Sequence, residues 1–79
     1  MGLAKTEEEW GIRATAFLKA KMKESEVTYS ELVKRLKKHG FKETKASIAN
    51  KLARGTHPTA FFLAALASIG ALTIDLEAI

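Results

Sequence analysis

The chain has 79 residues and a net charge of +4, and it contains no cysteine. Disulfide staples and thiolate metal sites are thereby excluded, and a cytoplasmic setting is expected. A chain this short forms one domain and buries only about 60% of the surface its unfolded form exposes, so self-association is a natural route to stability. The opening MGLAKTEEEW holds no apolar run, so no secretory signal is expected. Met1 to Thr6 fits the loose N-myristoylation pattern, but Thr6 is better employed as a helix cap.

Charge is segregated along the chain. Residues 1–18 carry a net −1, residues 19–57 a net +7, and residues 58–79 a net −2. A basic middle third of this kind makes a surface that attracts polyanions, although lysines also solvate ordinary helix faces.

Four helical segments and a tail are predicted across residues 1–79. The first runs from about Glu7 to Glu24, with Thr6 and Glu9 as a capping box. Trp10, Ala14, Phe17, Leu18 and Met22 recur at helical spacing as its apolar face. The second runs from Thr28 to His39 and repeats the cap with Glu31. Leu32, Val33 and Leu36 point inward, Tyr29 lies at the edge, and Gly40 is a left-handed terminator. The third starts at a Thr44 cap and closes at Gly55. The fourth follows Pro58, runs to Gly70, and with the tail occupies residues 58–79.

The fourth segment stands apart. No charged residue occurs from Thr59 to Ile74, so the helix is apolar on all sides. Such a helix is either the core of its domain or covered by another chain. The uncharged run is shorter than the ~20 residues a membrane span needs, so no membrane partner is expected. In the tail, Leu72, Ile74, Leu76 and Ala78 alternate with polar residues, the repeat of a half-buried strand that must pair with something.

The third segment is the candidate site. With Ile48 at the centre of the buried side, 100° per residue sets Leu52 beside it and Asn50 opposite. Ala46, Ser47 and Arg54 flank Asn50, and Lys51 lies on the border. Asn50 and Arg54 suit bidentate bonding to base edges, while Lys45 and Ser47 suit phosphate oxygens. Lys37, Lys38, His39 and Lys42 would add unspecific charge contacts. The competing reading is an ordinary solvated helix face.

The two helices around this turn carry a family resemblance. Val27 to Leu36 (VTYSELVKRL) resembles helix 2 of the lambda-repressor-like, Xre or Cro type, helix-turn-helix domains. Ser47 to Gly55 (SIANKLARG) resembles their recognition helix, and Phe61 to Leu76 (FFLAALASIGALTIDL) their last helix. The string also resembles a group of short bacterial proteins without an assigned role. The departures are Val33 in place of alanine, Tyr29 in place of glutamine, and a longer connection from Lys37 to Glu43. The resemblance implies an all-α bundle of four to five helices with a short extended tail, the helix-turn-helix core lying at about 28–55. It also implies duplex DNA as partner, with contacts from Tyr29, Lys37, Lys38, Lys45, Ser47, Asn50, Lys51 and Arg54.

His39 and His57 are the only histidines, no acid lies at ligand spacing with either, and no triad or phosphate loop occurs. No catalytic residue, metal, cofactor or small-molecule substrate is therefore expected. A protein-interaction module docking through the fourth helix is the main rival. RNA binding is weaker, because the basic segment offers only Tyr29 and Phe41 for stacking. A homodimer is expected, with Phe61, Ala64, Ala67, Ala71, Ile74 and Leu76 at the interface. It would cover the fourth helix, pair the tails and set two recognition helices on one face.

Overall fold

A computed structural model describes residues 2–79. Its helices are α1 (Glu7–Glu24), α2 (Tyr29–Lys37), α3 (Lys45–Arg54) and α4 (Thr59–Ser68), and no strand occurs among the described residues.

Threonine starts each of the first three helices. Thr6, Thr28 and Thr44 sit in extended backbone, and each hydroxyl oxygen accepts from the N–H three residues on, at 3.0, 3.1 and 3.0 Å. The return bonds differ from the expected boxes. The Glu9 carboxylate accepts from Lys5 rather than Thr6, and Glu31 turns to the Arg35 guanidinium at 3.3 Å. Only Thr44 has a full reciprocal box, formed with Ser47.

One stop signal occurs three times. Glu26, Gly40 and Gly70 adopt φ of 55°, 84° and 81°, and the next N–H of each bonds back into the last helical turn. These bonds are Val27 to Met22, Phe41 to Leu36 and Ala71 to Leu66, at 2.9, 3.1 and 2.9 Å. Each joins two residues of the apolar cluster, as a helix stop of this type does when an apolar contact accompanies it.

The core lies where α2 packs on α3 and α4, and α1 closes over α4. Leu18, Leu32, Leu36, Ile48, Leu52, Phe61 and Leu66 are buried. Phe17, expected on the apolar face of the first helix, packs at the edge of the core, as does Phe62. The buried stripe of α1 is Thr15, Leu18 and Met22, so the expected face is rotated toward a threonine. Arg35 donates from Nη1 to the Ser68 carbonyl at 3.1 Å, placing a cation on the C-terminal end of α4 where the helix dipole favours it.

The tail corrects the strand expectation. Residues 71–79 are irregular, because no second strand exists among the described residues to complete a ladder. Asp75 breaks the alternation by turning the chain: its carboxylate accepts from Glu77 N–H and its carbonyl from Ala78 N–H, both at 2.9 Å. The chain end then approaches α1, where Arg13 Nη1 lies 2.8 Å from the Gly2 carbonyl and 3.5 Å from that of Ile79.

Candidate nucleic-acid interface

The solvent side of α3 presents Lys45, Ala46, Asn50, Ala53 and Arg54, all exposed. Lys45, Asn50 and Arg54 make no hydrogen bond or ion pair with any described residue. Alanines between them keep the face low, so a partner surface can approach the backbone closely. Lys37 and Lys38 are exposed where α2 ends, and Lys42 is exposed in the 38–44 connection. Arg54 shares a shallow groove with Glu8 and Lys19 of α1, so acid borders the C-terminal end of the face.

Two expected contact residues are engaged within the domain. The Ser47 hydroxyl accepts from Thr44 N–H at 2.8 Å and donates to the Glu43 carboxylate at 2.7 Å. Lys51 donates from Nζ to both Glu43 oxygens at 2.8 and 3.0 Å, and its ammonium lies 5.3 Å from the Phe61 ring centre. The two side chains of this ion pair are 20% and 10% exposed. Ser47 and Lys51 therefore hold the connection against α3 and leave the outward face to other residues. Burial raises the Glu43 pKa, but hydrogen bonds from Lys51 and Ser47 and the Lys51 charge outweigh it. The carboxyl is held below the usual carboxylate range. Tyr29 is half-buried and packs against the core, so its ring serves the fold.

The expected dimer residues divide. Phe61 is 1% exposed and is removed from any interface, since its ring is enclosed in the core cluster. Ala64 and Ala71 are half-buried, while Ala67, Ile74 and Leu76 are exposed. Leu63 and Leu72, absent from the expected set, are 58% and 80% exposed on the same surface. Periodicity could not find Leu63, because every position of α4 from Ala60 to Ala67 is apolar and the pattern carries no phase.

Sequence reasoning also missed Glu43, which precedes the helix and whose role depends on how the connection folds. His57 lies in the loop between α3 and α4, and its ring is packed among Phe61, Phe62 and Thr15, a role no motif in the sequence pointed to. Thr15 in the apolar stripe was the available signal, since a buried hydroxyl requires a partner. Among the described residues no group of three potential metal ligands occurs, and no helix is long and apolar enough to cross a membrane.

No curated protein and no solved structure matches the chain. A family model described as a domain of unknown function (DUF6471) matches residues 10–74. With most of its length covered by that match, the chain belongs to the DUF6471 family.

Proposed function

We propose that this domain binds duplex DNA sequence-specifically as a small bacterial transcriptional regulator, using α2 and α3 as a lambda-repressor-like helix-turn-helix. The observation that carries the reading is the outward face of α3. Its amide and guanidinium have no partner among the described residues, small side chains lie between them, and exposed lysines lie on the adjoining turn. Asn50 and Arg54 are assigned to base edges. Lys45, Lys37 and Lys38 are assigned to phosphates, with Lys42 adding charge. Ser47 and Lys51 support the face from behind.

Fluorescence anisotropy with random and selected duplexes at two salt concentrations tests it. Affinity should fall steeply with salt, because several phosphates are neutralised. Lys37→Glu with Lys38→Glu should weaken binding to all sequences alike. Asn50→Ala should instead relax discrimination at one base pair by ~1–3 kcal/mol. A folded protein that binds no duplex even at low salt would transfer the reading to a protein-interaction module.

A second copy of the chain is the proposed partner at α4 and the tail. The support is an uncharged surface on which the exposed Leu72 adjoins a groove formed with Leu63, Leu66, Ala67 and Ile74. A two-fold axis would let each Leu72 enter the other groove and would provide paired half-site readers. Sedimentation equilibrium at micromolar concentration should show a dimer that Leu72→Glu dissociates. A single parent species at 8.7 kDa excludes it.

A further inference from the structure

The α3–α4 loop meets α1 at a tight junction. Gly55 ends α3 at φ 69°, and its carbonyl faces Gly11 so closely that a Cβ on Gly11 would lie 2.5 Å from the oxygen. Beyond it, His57 turns its ring inward. The ring nitrogen Nε2 lies 3.1 Å from Oγ1 of Thr15, which is buried. The ring stacks on Phe62 at 5.6 Å and 17° and tilts against Phe61 at 5.7 Å and 56°. The other nitrogen, Nδ1, is buried and has no partner among the described residues.

The charged groups around the ring are few. From α3 comes Lys51, over the same Phe61 ring and paired with Glu43 of the connection. From α1 comes Glu7, along a shallow groove that also includes Trp10 and His57. Helix α4 contributes no charge.

These surroundings suit a neutral ring. An Nε2–H that donates to Thr15 leaves Nδ1 as a bare acceptor. Adding a proton to Nδ1 creates a buried donor without an acceptor, the costlier kind of unsatisfied group, and a second cation near Lys51. In the solvated loop the same proton carries neither penalty.

We propose that His57 is an acid-released latch: protonation detaches the Gly55–Pro58 loop from α1 and frees the C-terminal end of α3 while the rest of the core stays folded. The remainder can persist because Leu32, Leu36 and Ile48 are fully buried, belong to α2 and α3, and are not among the stacking or hydrogen-bond partners of the ring. Burial of the ring, and then the Lys51 charge, hold His57 below the usual histidine range. With the latched pKa depressed, the latch is fully closed above the ordinary histidine value of ~6.5 and opens as pH falls toward the lower latched value. Within that interval the open population rises about tenfold per pH unit. The latch operates on the free protein and does not depend on what α3 binds.

Amide hydrogen exchange between about pH 7.5 and pH 5, corrected for intrinsic rates, reads the opening directly. The hydrogen-bonded amides of residues 53–55 should lose protection about tenfold per unit as pH falls from ~6.5 toward the latched His57 value. Those of Leu36 and Leu52 should not follow. In His57→Gln, whose amide can still donate to Thr15, loop protection should no longer vary with pH. If that variant does not fold, Thr15→Val in its place should open the loop at a higher pH than the parent. Titration of His57 in the ordinary range with unchanged protection overturns the latch, as does simultaneous loss of protection by all amides.

Discussion

Leu52→Ala should be destabilising by ~2–5 kcal/mol, because it combines lost transfer energy with a cavity that its neighbours fill only in part. Domains are stable by only ~5–15 kcal/mol, and a small one lies toward the lower end, so this single change can leave much of the protein unfolded. Leu52 is 2% exposed and belongs to the cluster that includes Leu36, Ile48 and Phe61. Its loss loosens the side of α3 opposite Asn50 and so disturbs the placement of the outward face as well. Urea denaturation measures it, with Arg54→Ala as the control. Arg54 is exposed and makes no bond among the described residues, so its removal should shift stability by no more than ~0.5 kcal/mol. Equal midpoints for Leu52→Ala and the parent would show that this face of α3 is not buried.

Lys51→Met is the second large effect, at about 3 kcal/mol near neutral pH, the low end for breaking a buried pair. The methionine can follow the path of the lysine stem along Phe61, but the Glu43 carboxylate, in a side chain only 10% exposed, keeps just the Ser47 hydroxyl as a partner. The double variant Glu43→Gln with Lys51→Met should recover much of the loss, because no unpaired charge then remains. Acid separates the two states by sign. In the parent, the folded Glu43 pKa is depressed, so its contribution is present above the ordinary carboxylate value and is lost as pH falls through the folded one. In Lys51→Met the main lowering causes are gone and burial pushes the pKa up, so protonation relieves the fold. The stability gap should therefore narrow between pH 7 and about pH 4 in chemical denaturation. A gap independent of pH would mean that the loss comes from packing and not from the stranded charge.

Features that depend on neighbours in the chain were readable from the sequence. Thr6, Thr28 and Thr44 cap because a hydroxyl reaches an N–H three residues away whatever the rest of the protein does. Gly40, Gly55 and Gly70 stop helices because the left-handed backbone is strained for residues with a Cβ. Ile48 and Leu52 against Asn50 follow from helical periodicity alone, and so does an all-helical chain with its cations on α2, α3 and the connection. The tertiary structure decided what needs a partner distant in sequence. Tail alternation looks like a strand, but a ladder requires a second strand, and Asp75 uses its side chain to turn the chain instead. Phe61 and Leu63 are alike in a charge-free helix, and only the packing of α4 on α1 and α2 makes one core and the other surface. Ser47 and Lys51 lie near the outward face by angle, but Glu43 captures both once the connection folds back. Gly11 is the sharpest case. Helix propensity favours alanine there by about 1 kcal/mol, yet the Gly55 carbonyl occupies the space a Cβ would need. Propensity is a property of the local chain, whereas a close approach between α1 and the end of α3 exists only after the helices have packed.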